Sequence, residues 1–173
     1  ERFVSLAALC GLIALERAPL REKIADSPEM VAPRKEKEST ARAVDALLNG
    51  EYRAYFEALV DLAHKCRRDD LLAPHTSFII RELRVRGYVQ LLSSYRSVKL
   101  SAMAQSFGVS EDFLDRELSR FIALGRVPCK IDRVGGVIEI TRPDQKAALY
   151  HSTLKQGDVL LNRIQKLARV INM

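Results

Sequence analysis

The chain has no tryptophan, only three histidines and three cysteines, and no apolar run long enough to span a bilayer. Each shortage removes a class of function. His64, His75 and His151 stand isolated, with no HExxH or HxH spacing, so no local ligand set exists for a metal. Cys10, Cys66 and Cys129 are an odd number without CxxC spacing. Each sits among apolar neighbours of a predicted helix or strand, which reads as buried free thiols in a reducing compartment. No Walker loop or GxGxxG cradle for nucleotide phosphates is present, and four of the eight glycines, Gly108, Gly125, Gly135 and Gly136, serve as structural punctuation. No nucleophile, base and orienting group can be assembled from these motifs, so neither an enzyme nor a cofactor is expected. The apolar stretch 4–15 is too short for a membrane span and runs directly into Glu16 and Arg17, giving the expectation of a soluble protein. The first residue is Glu1 rather than methionine, as in a fragment or processed product.

What is present begins with 173 residues that are 47% hydrophobic, enough for one substantial core or two small ones. A balance of 28 bases to 22 acids gives a formal charge of +6. The bases are dispersed over 34–37, 65–68, 81–86 and 155–169, as solvated helix faces are, and their best functional use is to dock an acidic protein segment.

Residues 95–141 form the most legible module. Leu100, Met103, Ala104 and Phe107 fall at i, i+3, i+4 and i+7, one stripe of a helix. Gly108 stops it, and Ser110 caps a second helix whose first turn carries Glu111 and Asp112 at the positive end of the dipole. Leu114, Leu118, Phe121 and Ile122 continue at helical spacing, with Phe113 and Leu124 widening the apolar face, until Gly125. The period then drops to two. Val127, Cys129 and Ile131 alternate with Pro128, Lys130 and Asp132, and Gly135-Gly136 turns the chain back through Val137, Ile138 and Ile140. Helix, tight turn, helix and two-stranded hairpin is the order of a winged helix.

In nucleic-acid-binding winged helices the second helix enters the major groove. Here it carries Glu111, Asp112, Asp115 and Glu117 against Arg116 and Arg120, a net-negative helix that would repel phosphate. The wing adds Lys130 and Arg133 but no aromatic for stacking.

Upstream the pattern is helical throughout. A strongly apolar helix over 3–15 ends or kinks near Pro19, and a short helix resumes over 20–25. Residues 27–39, with Pro28, Pro33 and a charge run, read as an exposed loop of the composition found in disordered segments. Helices follow over 40–48, through the stripe Tyr52, Tyr55, Phe56, Leu59, Ala63 and Cys66, and over 78–92, a succession that suggests stacked antiparallel hairpins. Beyond Pro143 the chain is helical again. Leu154, Gly157, Leu161, Ile164, Ala168 and Ile171 alternate in steps of three and four, the a/d register of a coiled-coil seam, flanked by Leu160 and Leu167. Such a stripe needs a partner, either the parent domain or another helix. Gly157, with Asp158 beside it, is placed to bend or restart the helix.

Helical repeats feeding a winged helix with the strings 100–110 and 125–132 resemble a PCI domain, shared by subunits of the proteasome lid, the signalosome and a translation initiation factor. Segments 82–95, 118–123 and 157–173 look like the lid's non-ATPase regulatory subunit six family, as do 14–17 and 20–24. Residues 31–42 are richer in charge than that family's pattern, and Lys99 stands where a Ser or Thr cap is usual.

The resemblance implies a mainly α fold, with a helical-repeat (TPR-like) subdomain over 1–94, a winged helix over 95–141 and a C-terminal assembly helix over 142–173. It implies a non-catalytic scaffold that assembles side by side through winged helices and a helical bundle. Val127, Cys129, Ile131, Ile138 and Ile140 are then the wing's interface residues. Leu154, Leu160, Leu161, Ile164, Leu167, Ala168 and Ile171 are those of the terminal helix. Implied partners are other PCI-domain lid subunits, a small acidic lid subunit and the deubiquitinating subunit, with no membrane and no nucleic acid, in cytoplasm and nucleus. Two alternatives stay open: a PCI scaffold of the signalosome or initiation factor, and a nucleic-acid binder using Arg81, Arg84 and Arg86.

Overall fold

Helix α1 (Arg2–Ala14) begins the computed structural model, which describes residues 2–26, 39–141 and 145–171. Pro19 falls inside a short helix α2 (Arg17–Leu20), close enough to its start that the missing N–H leaves no ladder bond unmade. A π-helical turn (Arg21–Ala25) follows, closed by the Asp26 N–H donating to the Arg21 carbonyl at 2.9 Å. Apart from Ser39, the charged loop expected over 27–39 lies outside the described residues. Helix α3 (Ser39–Asn49) stops at Gly50, whose φ of 80° only glycine adopts freely, and α4 (Tyr52–Arg68) packs back along it. A 3₁₀ turn (Ala73–His75) around Pro74 leads to α5 (Thr76–Ser93). On α4 the buried stripe runs through Tyr55, Ala58, Leu59, Leu62 and Cys66, so Leu62 rather than half-buried Ala63 is its centre.

The winged helix follows as β1 (Ser97–Lys99), α6 (Leu100–Phe107), α7 (Glu111–Ala123), β2 (Cys129–Asp132) and β3 (Val137–Ile140). The sheet has three strands in the order β1-β3-β2, both pairs antiparallel, where the sequence predicts two. Three residues with one apolar side chain are too few to show a two-residue period, so β1 left no signal.

Two hydrophobic cores form. Leu12, Leu20, Leu47, Leu62 and Leu83 lie in the first; Met103, Phe107, Leu114, Leu118, Phe121 and Ile138 lie in the second. Helix α5 belongs to both. Ile79 and Leu83 face the helical stack, whereas Val85, Tyr88, Leu91 and Leu92 complete the winged-helix core, reaching N-terminal of a boundary at 94. Phe56 of α4 packs against both cores. The scarce aromatics gather at this junction: Phe107 lies 5.0 Å from Tyr52, 4.7 Å from Phe56 and 4.9 Å from Tyr88, centroid to centroid. Long polar side chains add ties, with Arg86 donating to the Leu12 carbonyl at 2.6 Å and Gln90 to that of Leu47 at 2.7 Å.

Gly87 sits where α5 crosses this ring cluster. A Cβ there would lie 3.1 Å from Tyr55 Cε1 and 3.5 Å from Phe107 Cε1. Tyr55 is fully buried and held by its hydroxyl on the Leu83 carbonyl at 2.9 Å, so it has no room to yield. Gly87→Ala should therefore destabilise by about 1–2 kcal/mol, overpacking outweighing the roughly 1 kcal/mol that alanine gains in a helix. Urea denaturation checks this; a stabilised variant would show that the ring cluster yields.

Compact units are formed by Glu1–Ile140 and by Thr141–Met173. The second is built on α8 (Gln145–Ile171), 27 residues that run through Gly157 without the restart for which the sequence places it. Three further expectations are corrected. Phe113 and Leu124 do not widen a buried face, being 40% and 60% exposed. Cys66 and Cys129 are buried thiols, but Cys10 is exposed, because α1 is apolar around its circumference and one side must face out.

Candidate protein-interaction site

The winged helix is assembled by local rules. Gly108 takes the left-handed conformation at φ 68° and ends α6, and the Ser110 side chain accepts from the Phe113 N–H at the start of α7. Helix α7 is then fixed by its own acids. Glu117 accepts from the Tyr88 hydroxyl at 2.6 Å and from Arg84 at 2.8 Å, with its side chain only 10% exposed. Burial, and then the Glu117 carboxylate, raise the Tyr88 phenol above its usual range, so it remains a donor. Asp115 meets Arg133 of the wing at 3.2 Å.

These contacts revise the expectation of an acidic, DNA-repelling face. Two of the four acids hold the module together, leaving Glu111 and Asp112 exposed against Arg116 and Arg120. They also use up the rival's bases. Arg84 is committed to Glu117 and Arg86 to the Leu12 carbonyl, while Arg81 lies 5.6 Å over the exposed Phe78 ring. Glu117→Ala would strand Arg84 and the Tyr88 hydroxyl without their acceptor. The expected cost is about 2–3 kcal/mol, large for a residue on the groove-reading helix of this fold. Thermal melting measures it, and a shift no larger than that of Glu111→Ala would remove the anchoring role.

The wing divides its residues by alternation. Val127, Cys129 and Ile138 are buried in the module's own core, and Ile131 and Ile140 are half-buried against it. Burial alone pushes the Cys129 thiol up to about 11, so it stays protonated at neutral pH. A thiol reagent should therefore modify Cys10 quickly in the native chain and Cys129 only on unfolding; equal rates under native conditions would contradict the packing. Toward solvent the wing presents the cross-strand pair Lys130 and Glu139, together with Val134, fully exposed at the tip. The sequence marks Lys130 as a base of the wing, but Glu139 and Val134 were passed over, although the same alternation marks Glu139. The strand order leaves β2 at one edge of the sheet, where every second residue turns its N–H and C=O away from β3.

Along α8, Leu154, Leu160, Leu161, Ile164 and Leu167 are between 48% and 64% exposed. Ala168 and Ile171 continue the register on the same helix. Val159, 51% exposed, adds to the apolar surface and was not picked out by the a/d spacing. No group of three or more His, Cys, Asp or Glu side chains suited to a metal occurs among the described residues, and no described helix is long and apolar enough to cross a membrane.

A helical stack sharing one helix with a winged helix, followed by a separate amphipathic helix, defines the PCI class. Residues 59–142 match the model of the PCI domain. Residues 150–171, which contain the whole exposed α8 stripe, match the model described as the 26S proteasome regulatory subunit RPN7/PSMD6 C-terminal helix. The chain belongs to the family of 26S proteasome non-ATPase regulatory subunit 6. The Arabidopsis thaliana homolog of that subunit is 47% identical over 173 residues, covering all of this chain and 45% of the relative. The Saccharomyces cerevisiae regulatory subunit RPN7 is 38% identical over 177 residues, covering all of this chain and 41% of the relative. COP9 signalosome complex subunit 1 of Arabidopsis thaliana is 23% identical over 158 residues, 91% of this chain and 36% of that one. The chain thus spans less than half the length of these relatives.

Proposed function

We propose that the chain is the assembly-forming part of a non-catalytic scaffold subunit of the proteasome regulatory particle lid, acting in ubiquitin-dependent protein degradation. The observation that carries this reading is the α8 stripe. A row of large aliphatic side chains, each about half exposed, lies within the segment matched to the regulatory subunit's terminal helix. Apolar surface arranged with an a/d period is a helix-bundle interface awaiting its partners. The second joint is the open edge of β2, where a neighbour's strand can extend the sheet by backbone hydrogen bonds. On this reading the partners are other PCI-domain lid subunits, the deubiquitinating subunit is positioned without ligands from this chain, and the complex works in cytoplasm and nucleus.

A signalosome role has less support, since the relative named for that complex is 23% identical against 47% for the proteasome homolog. Affinity purification of the intact protein with mass spectrometry tests the choice. Proteasome regulatory subunits should co-purify; a signalosome set, or no complex, refutes the proposal. Nucleic-acid binding is expected to be weak and lost on raising salt, and tight binding at physiological salt would count against a pure scaffold.

A further inference from the structure

Helix α8 carries two surfaces, and the apolar stripe is only one of them. Every residue from Ser152 to Leu167 is exposed. On the side turned away from Leu161 and Ile164 run Lys155, Arg163 and Lys166, with Val159 among them. Val159 is one helical turn from Lys155 and from Arg163 and two from Lys166, so all four share a face. It is 51% exposed there, about 160° round the helix axis from Leu161.

The charge on this helix is of nearly one sign. Its sequence holds Lys146, Lys155, Arg163, Lys166 and Arg169 against Asp158 alone, and from 159 to 171 it has no acid. These features separate three kinds of cover. A second copy of the chain would bury the a/d stripe but set another basic helix alongside and leave Val159 in water. A flat anionic lipid surface would touch one side only, and from Ser152 onward α8 has no aromatic residue of the kind that anchors a helix there. Apolar groups on opposite sides of a basic helix fit an acidic partner that encloses it.

We propose that α8, while outside its parent assembly, is captured by an acidic protein that wraps an amphipathic helix in a methionine-rich groove, the chemistry of a calcium-loaded EF-hand sensor. Leu160, Ile164 and Leu167, at i, i+4 and i+7, are the anchors in the groove. Val159 is covered from the other side, and Arg163 and Lys166 meet the acidic rim. Capture hides the stripe that joins the helix bundle, so capture and incorporation exclude each other; that exclusion, though not the binding itself, rests on the assembly reading.

Calmodulin is the probe, titrated by isothermal calorimetry against the full chain in calcium and in a calcium chelator. The calcium-loaded form should bind at a single site, at least about a hundredfold more tightly than the calcium-free form. Val159→Asp, and Arg163→Glu combined with Lys166→Glu, should each weaken binding by about tenfold while the melting temperature stays within a degree or so, since all three side chains are exposed. The proposal is overturned if nothing binds in calcium, if the calcium-free form binds equally, or if either variant keeps its affinity. It is overturned too if vesicles of phosphatidylserine and phosphatidylcholine strip the chain from calmodulin, or if the calmodulin-bound chain still joins its partner subunits. Failure of the free chain to join those subunits, with calmodulin binding intact, would instead sink the assembly reading and leave capture standing.

Discussion

Placing aspartate at both Leu161 and Ile164 should abolish incorporation of the protein into its parent complex while leaving the Glu1–Ile140 unit folded. Both side chains lie on the α8 stripe and are 57% and 64% exposed, so the isolated chain loses little by the change. The assembled helix loses much more. Burying a leucine or isoleucine contributes about 1.5–3 kcal/mol, and a carboxylate enclosed in an apolar seam without a partner costs several more. Even a net loss of about 3 kcal/mol lowers association by more than a hundredfold, enough to remove the subunit from a pull-down. The measurement is co-purification with tagged partner subunits, read beside a thermal melt of the variant. Undiminished co-purification would show that α8 is not the joint; a collapsed melt would show that the stripe supports this chain's own fold.

The largest effect on stability should come from Phe107→Ala. Phe107 is 1% exposed and meets three other rings within 5.0 Å. Truncating a buried phenylalanine typically costs about 3–5 kcal/mol, and a close-packed ring cluster has little freedom to collapse into the space. Its neighbours Phe56 and Tyr88 stand where the two cores meet, so the helical stack should weaken with the winged helix in a single transition. Urea unfolding followed by tyrosine fluorescence and by circular dichroism gives the test. A first transition confined to part of the helical signal would mean that the cores unfold independently.

What the sequence disclosed follows the strength of its periodicities. Helices α6 and α7 were legible to within a residue or so because apolar spacing, Gly108 and Ser110 all point to the same boundaries. The stripe of α8 was legible for the same reason, whereas Gly157 misled, since one glycine in a long helix costs only about 1 kcal/mol and need not break it. Strand β1 was too short to carry a pattern. The role of Glu117 was hidden by its charge. It lies three residues after Leu114 and four before Phe121, squarely on the buried stripe, so position marked it as inward while chemistry suggested solvent. For the candidate site, alternation found the wing and its base Lys130 but favoured the residues that line its own core, leaving Glu139 and Val134 to the structure.

Helix α5 gives its first turns to one core and its last turns to the other, with no flexible joint between them. Force applied at the wing would therefore travel along a rod of about 27 Å into the helical stack instead of dissipating in a hinge. A chain built this way transmits a push or a twist from one end of the Glu1–Ile140 unit to the other, as a strut does in a frame that must keep its shape while machinery beside it moves.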